Sequence, residues 1–418
     1  MDSKLIYDPI HGYIKFNSLE LNIIDSSIFK RLQNIKQLGT CHYVFPGANH
    51  TRFSHSLGTC YLAGKLLESI HQRQPDIGIT AREIQLVKIA GLCHDLGHGP
   101  FSHTFDNVVI PYLKDHNIPF NIDSCHELRS IHLLDQIIKQ KNIAINQSEL
   151  IFISLCINPN KKKIDDSDYP RKFLFTIISN YINGIDVDKF DYLKRDPYHI
   201  GLDFHFDYNR IIENIRVIDD IICFPKKLAN TIINMFSVRY RLLREICNHP
   251  VTKSIEYMIL DILVNDYQIL LPFLNNDTFY KLDDRILLFY KMSTNIKSTI
   301  SQKLLVKLDN RELYKYMGEV KCNNKHEREK INMLEKKSNY IIQNLKVSYS
   351  NIEQFPLNTV LFYNLQNQNS YFNITEEEIC ILLPNKYMEE HTYRIFIKDC
   401  NPELMTELSN QYQTLNLK

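Results

Sequence analysis

The run Gly91-Leu92-Cys93-His94-Asp95-Leu96-Gly97-His98-Gly99-Pro100-Phe101-Ser102-His103 sets three histidines and one aspartate within a short span. Upstream lies Arg52-Phe53-Ser54-His55, downstream His126-Glu127, and further on Gly184-Ile185-Asp186-Val187-Asp188-Lys189-Phe190-Asp191-Tyr192. Imidazole nitrogens and carboxylate oxygens drawn from different segments make a mixed shell that suits Fe, Mn, Zn or Co. Two histidines and two carboxylates leave a roughly six-coordinate ion open to water and to a phosphate oxygen. A His-Asp dipeptide on its own reads better as a buried ion pair or a capped helix end, because an unpaired buried carboxylate is costly. Here the dipeptide sits in an ordered set, and the set points to metal-assisted hydrolysis.

The segments that must carry these residues read as helices. Thr80-Ala81-Arg82-Glu83 fits a capping box, in which Thr bonds one free amide and Glu reaches back to another. The helix it opens puts Ile84, Val87 and Gly91 on one face, and His94 and Asp95 project near the same stripe. Asp188, Tyr192 and Asp196 are spaced four apart and share a face if that stretch is helical, a spacing that an ordinary polar helix face also gives. Asp25-Ser26 caps a helix carrying Ile28, Leu32 and Ile35, with Gly39 as the stop. Between about 302 and 345 the chain turns charged and polar around Lys325-His326-Glu327-Arg328-Glu329-Lys330, an exposed helix or a connector. Beyond it, Val360-Leu361-Phe362-Tyr363 and Tyr393-Arg394-Ile395-Phe396-Ile397 have the aromatic and β-branched character of strands. The expected fold is mostly α: a helical core over residues 1–345 and a small α+β C-terminal lobe over 346–418.

Composition narrows the setting. At 418 residues, 44% apolar and 23% charged, the chain has the make-up of a soluble globular protein. A formal net charge of +1 argues against a strong nucleic-acid binder, although clusters such as Lys161 to Lys163 and Lys226-Lys227 could meet phosphates. The ten cysteines form no C-x-x-C pair and no regular framework. The start, Met1-Asp2-Ser3-Lys4, lacks the apolar run of a signal peptide, and no stretch reaches the length of a membrane span. The expectation is a reduced, intracellular, soluble protein, cytoplasmic or nuclear.

These segments closely resemble the HD superfamily, in particular the SAM-and-HD-domain deoxynucleoside triphosphate triphosphohydrolases. The resemblance is carried by Tyr43 to Ala48 leading into Arg52-Phe53-Ser54-His55-Ser56-Leu57-Gly58, by Gly91 to His103, and by Asn183 to Tyr192. Asp8-Pro9-Ile10-His11-Gly12 and Lys36-Gln37-Leu38-Gly39 belong to it as well. It runs from about residue 4 to about 400, and the family's amino-terminal SAM domain has no counterpart in it. The resemblance implies an HD-domain helical core, with the metal and nucleotide site within about residues 37–250. It implies metal ligation by His55, His94, Asp95 and Asp188, with Fe, Mn or Zn there and Mg accompanying the nucleotide. His98, His103 and His126 would surround the α-phosphate, with Asp106 and Glu127 orienting histidines and His103, paired with Asp106, as general acid. Arg52, Lys189, Tyr192 and Arg239 would bind the triphosphate, and Gln37, with Leu38 beside it, and Asp196 the sugar 3′-hydroxyl. The products would be a deoxynucleoside and inorganic triphosphate.

Two departures stand out. The family sets a phenol against the sugar C2′ edge in the segment aligned with Arg244 to His249, where this chain carries Cys247; a smaller thiol excludes a ribose 2′-hydroxyl less well. In the family's regulatory pocket for a guanine nucleotide, Lys4 and Asp25 match, whereas Lys30 and Gln33 replace a Gln and an Arg. Arg216, Lys227 and Arg311 match further phosphate-contacting positions. The expectation is nucleotide activation, by GTP or a dNTP, and a homo-oligomer, dimer or tetramer, without strict GTP dependence. Two rival readings stay open: an HD phosphohydrolase acting on another nucleotide phosphoester, and a non-catalytic protein that binds nucleotides or single-stranded nucleic acid.

Overall fold

The computed structural model describes residues 3–292, 299–321, 331, 339–349, 356–375, 377–378 and 389–399. The chain opens with a hairpin of β1 (Ser3–Asp8) and β2 (Gly12–Asn17), paired antiparallel from Ser3↔Asn17 to Asp8↔Gly12. Asp8 shapes its turn: Oδ1 accepts from the amides of Ile10 at 2.9 Å and His11 at 3.0 Å. Helix α1 (Ser18–Ile24) follows at once, started by a capping box between Asn17 and Glu20. Ser26 then caps α2 (Ser27–Lys30), as expected, but the α-helix lasts one turn. Arg31–Asn34 tighten into a 3₁₀ turn and Ile35 is extended, so the helix expected to run to Ile35 breaks off early. Pairing of Lys36 with Thr51 draws the chain into that extended shape.

The core is built on α3 (Arg52–Arg73) and α4 (Ala81–Cys93), the latter opened by the expected Thr80–Glu83 capping box. Helix α3 is covered on most sides, with Leu57, Cys60, Leu62, Ala63, Leu66, Leu67 and Ile70 all buried. Each of the Leu and Ile side chains contributes about 1.5–3 kcal/mol when fully buried. After α5 (Ile110–Asp115), α6 (His126–Lys141) and α7 (Gln147–Ile157) pack on α4, and after α8 (Lys161–Asp165), α9 (Val187–Ile200) packs on α3. Helix α9 starts at Asp186, whose carboxylate accepts from the Lys189 amide at 3.1 Å. The remaining described helices are α10 (Tyr208–Ile212), α11 (Ala229–Arg241), α12 (Pro250–Asn265), α13 (Ile286–Met292) and α14 (Thr299–Asp309).

Two small sheets complete the fold. Strands β3 (Arg216–Ile218) and β4 (Ile221–Pro225) pair antiparallel and head a four-stranded sheet: β4 pairs in parallel with β7 (Phe362–Asn364), which pairs antiparallel with β8 (Asn367–Phe372). The other sheet has the order β5 (Lys315–Val320), β9 (Glu389–Ile397), β6 (Tyr340–Ser348), antiparallel throughout. The fold is thus mostly α with a smaller α/β lobe, and the strands expected near 360 and 393 are present. A division drawn at 345 passes through β6. The Lys325–Lys330 cluster lies outside the described residues. Among the described residues, no helix is long and apolar enough to cross a membrane.

The lobe is anchored next to the helical core by charge. Arg244 meets Glu319 of β5 at 2.7 Å and Glu390 of β9 at 2.8 Å, while buried Arg394 of β9 bonds Glu319 at 2.9 Å and the carbonyl of Asn248. These contacts fix the π-helical turn Leu242–Cys247 that leads to His249.

Candidate active site

Three helix ends meet where the ordered His/Asp set converges. His55 lies in the first turn of α3, His94 and Asp95 directly follow the last turn of α4, and Asp188 lies in the first turn of α9. The His55 Nε2 atom is 3.0 Å from Asp188 Oδ1, 3.5 Å from Asp95 Oδ2 and 3.3 Å from His94 Nε2. His94 Nε2 is in turn 3.5 Å from both Asp95 Oδ1 and Asp188 Oδ1. The four side chains expected to hold a metal are therefore brought to one point.

The other nitrogen of each imidazole is already committed. His55 Nδ1 donates to Asp191 Oδ2 at 2.7 Å, and His94 Nδ1 donates to the Gly91 carbonyl at 2.8 Å. Such bonds set the tautomer, so both Nε2 lone pairs face inward, toward two carboxylates. Lone pairs this close, flanked by negative oxygens, call for a cation between them. The protonation equilibria say the same. Burial opposes charge on His55, yet Asp188 and Asp191 outweigh it and push its pKa up to about 10. Burial is likewise outweighed at Asp188, where His55 and His94 hold the carboxyl far below its ordinary range. The donor set and its enforced tautomers fit a divalent transition metal.

The residue that orients His55 is itself fixed. Asp191 accepts from Arg195 Nε at 2.7 Å and Nη2 at 2.9 Å, and from His11 Nε2 at 2.6 Å. Arg195 also reaches Asp8 Oδ2 at 2.8 Å, which ties the N-terminal hairpin to the site. The approach requires Gly58, one turn after His55, because a Cβ there would sit 2.0 Å from Asp191 Oδ1. Burial of Asp191 is more than offset by Arg195, His11 and His55, which keep it ionised well below the usual carboxylate range.

Beside the metal residues stands a histidine cluster. The His98 ring stacks on His126 with centroids 3.9 Å apart, and His103 meets them edge-on at 4.9 and 5.9 Å. Gly97 lets the start of α6 come this near, since a Cβ there would meet the His126 carbonyl at 2.0 Å. His98 Nε2 lies 3.2 Å from Asp95 Oδ1 and its Nδ1 3.5 Å from Asp106 Oδ2, but neither contact is aligned as a hydrogen bond. Both His98 nitrogens and Asp106 Oδ2 are thus buried without a hydrogen-bond partner. Burial, Arg52 and His126 hold the His98 pKa down to about 4. Loss of hydration, then His98, Arg52 and His126, push His103 well below its ordinary value. The His103 ring keeps accessible surface. A polyphosphate would reverse the balance, because negative charge nearby favours imidazolium.

One expected pairing is corrected. Asp106 does not contact His103: its Oδ1 is taken by Arg129 of α6, and its Oδ2 lies 3.4 Å from His126 Nδ1. The spacing of three would align the two side chains on an α-helix, but Phe105–Val109 is a π-helical turn, and the buried Arg129 guanidinium draws the carboxylate to α6. Glu127 stands 3.6 Å from His126 Nδ1.

The residues expected around a nucleotide occupy the surrounding elements. Arg52 is buried, bonds Asp95 and donates from Nε to Ser102 Oγ at 2.8 Å. Lys189 reaches Asp186 at 2.8 Å. The Tyr192 ring is 6.5 Å from that of His55, and burial raises its pKa to about 12. Asp196 is buried against His50 at 2.7 Å. Gln37 is buried with Oε1 unpartnered, next to half-buried Leu38. Arg239 donates to the carbonyls of Ser348 at 2.8 Å and Tyr349 at 3.1 Å. Cys247 is a neutral thiol, burial raising its pKa to about 12, and the His249 ring packs edge-on against Phe45 at 5.6 Å.

The expected regulatory residues are spread over the surface. Lys4 is exposed on β1, Gln33 is exposed after α2, and Asp25 and Lys30 form an exposed ion pair at 3.1 Å. Arg216 is half-buried on β3, Lys227 is exposed after β4, and Arg311 donates to the Tyr43 carbonyl at 2.9 Å.

Sequence reasoning missed Asp191, Arg195, His11, Asp8, Arg129 and His50. The Asp8–Gly12 motif was a signal for the brace, and the four-residue spacing of Asp191 and Arg195 another.

Comparison with known proteins agrees with this geometry. The family model for the HD domain matches residues 52–169. The deoxynucleoside triphosphate triphosphohydrolase SAMHD1 homolog of Dictyostelium discoideum is 36% identical over 410 residues, covering 95% of this chain and 77% of the relative. Human deoxynucleoside triphosphate triphosphohydrolase SAMHD1 is 34% identical over 446 residues, covering 94% and 70% respectively. An HD domain-containing protein of Acanthamoeba polyphaga mimivirus, L394, is 33% identical over 448 residues, covering 95% and 93%. With similarity of this extent spanning nearly its whole length, the chain belongs to the SAMHD1 family of HD-domain deoxynucleoside triphosphate triphosphohydrolases.

Proposed function

We propose that this protein is a metal-dependent dNTP triphosphohydrolase that cleaves its substrate to a deoxynucleoside and inorganic triphosphate by water attack at the α-phosphorus. The observation that carries the reading is the pair of inward-facing Nε2 atoms of His55 and His94, 3.3 Å apart between two carboxylates, in a chain related to these enzymes over 95% of its length. His55, His94, Asp95 and Asp188 hold the metal, which is Fe, Mn or Zn, with Mg arriving on the nucleotide. A divalent ion there supplies Lewis-acid polarisation and acidified water.

The chain's own residues do the rest. Arg52, Lys189, Tyr192 and Arg239 replace the water shell of the triphosphate with fixed donors. His98 and His126 donate to phosphoryl oxygens, which supplies an acceptor for the N–H that buried His98 leaves unpaired. Asp106, Glu127 and Arg129 keep His126 and His98 oriented. His103 gives its proton to the departing 5′-oxygen, its imidazolium favoured by the bound polyphosphate. Gln37 and Asp196 hold the sugar 3′-hydroxyl, with Leu38 alongside, while Cys247 and His249 flank its C2′ edge.

The reading includes activation by GTP or a dNTP and assembly into a dimer or tetramer. Lys4, Asp25, Arg216, Lys227 and Arg311 carry the effector contacts through the family resemblance. Asp25 is free to exchange Lys30 for a ligand, since so exposed an ion pair is worth little. Purified protein should be assayed with each dNTP and rNTP, with Mn or Mg, with and without GTP. Deoxynucleoside plus intact triphosphate is the expected product pair; monophosphate, pyrophosphate or no turnover in every lane would overturn the reading.

A further inference from the structure

We infer that His50 is a positioning residue for sugar recognition, fixing Gln37 through its main chain and Asp196 through its imidazole. The inference rests on the reading of Gln37 and Asp196 as the residues at the 3′-hydroxyl. The His50 Nε2 donates to Asp196 Oδ1 at 2.7 Å, with the two side chains 1% and 3% exposed. Its carbonyl accepts from the Gln37 amide at 3.0 Å, and the neighbouring Lys36–Thr51 bridge holds these strands of chain in register. One residue thus connects two groups that lie 159 positions apart in sequence, as the numbers 37 and 196 show.

The imidazole is held firmly for this task. The His199 ring, on the same helix as Asp196, stacks on His50 with centroids 4.4 Å apart and planes 8° from parallel. Burial, with His50 and Arg195 nearby, holds His199 down to a pKa of about 4, so the upper ring of the stack is neutral. With Nε2 turned to Asp196, His50 Nδ1 is buried without a hydrogen-bond partner. An apolar ring would fill the same space without that unsatisfied atom, which has a desolvation cost. What imidazole adds over such a ring is the single N–H to Asp196. With Oδ1 so engaged, the carboxylate is aimed, and Oδ2 remains to accept from a hydroxyl. Gln37 Oε1 is also buried without a partner. The preference for a 3′-hydroxyl therefore depends on His50, which need not touch the substrate.

The test compares dGTP with its 3′-deoxy counterpart ddGTP, with Mn and GTP present, in wild type and in H50F, H50Q, D196N and the H50F/D196N double variant. Phe keeps the stack and removes the donor; Gln places an amide N–H near the Nε2 position. The expected result is a loss of about tenfold or more in kcat/KM for dGTP in H50F, the scale of a hydrogen bond to a charged group, with ddGTP unchanged. The loss should match that of D196N, should not deepen in the double variant, and should be largely restored in H50Q. If D196N erases the preference while H50F keeps it, the inference fails and the sugar reading stands. If H50F and H50Q both depress dGTP and ddGTP alike, the role is structural and the inference fails. If D196N leaves the preference untouched, or wild type has none, the sugar reading and the inference fall together.

Discussion

The metal quartet and the histidine cluster share Asp95, yet they are built on opposite principles. At His55 and His94 the distal nitrogens are tied by bonds of 2.7 and 2.8 Å, and Asp191 behind His55 takes three further bonds, two from Arg195 and one from His11. At His98, contacts run from 3.2 to 3.5 Å, and both buried nitrogens lack a hydrogen-bond partner. The first region is organised before any ligand arrives; the second leaves an imidazole N–H unsatisfied where a phosphate oxygen can accept from it. Metal affinity should therefore depend also on the residues that brace the quartet from behind, whereas the cluster should govern the cleavage step without governing metal retention.

The strongest way to break this division is D188A. Removing the oxygen 3.0 Å from His55 Nε2 should abolish metal retention, read by elemental analysis, and turnover with it. Next comes H103A, which should retain metal and substrate binding while cleavage slows by about 10²–10⁴-fold, the usual worth of general acid–base catalysis. Normal turnover in that variant would remove His103 from the acid role, and loss of its metal would erase the division itself.

A sharper probe lies behind the metal. D191N should keep His55 in place but weaken its fixed tautomer, lowering metal affinity about 10–100-fold, with kcat restored at saturating metal. A kcat that stays low at saturating metal would mean Asp191 acts on the chemistry as well. The smallest effect is expected at the sugar edge: C247Y should sharpen discrimination against ribonucleotides by about tenfold, the scale of a single pocket contact. Unchanged discrimination would assign the 2′ edge to another side chain.

The same contrast governs what could be read from sequence. The convergence of His55, His94, Asp95 and Asp188 was legible through the family resemblance, which assigned these four to one site. The capping box at Thr80 and the strand near 393 were legible from local chemistry. The Asp191 brace was not, because it joins residues 136 and 180 positions apart and depends on a missing Cβ at Gly58. The His103–Asp106 pairing implied by the family resemblance is not formed, because a π-helical turn and buried Arg129 redirect the carboxylate. Helical spacing misled after Ser26, where pairing of Lys36 with Thr51 overrides the apolar periodicity that would prolong α2.

The central claim is hydrolysis by water attack at the α-phosphorus, and turnover in water enriched in heavy oxygen tests it most directly. Mass spectrometry of the products should find the label in inorganic triphosphate and an unlabelled deoxynucleoside, since the Pα–O5′ bond breaks on the sugar side of the attacked phosphorus. Label in the deoxynucleoside 5′-hydroxyl, or release of a labelled nucleoside monophosphate, would contradict the account.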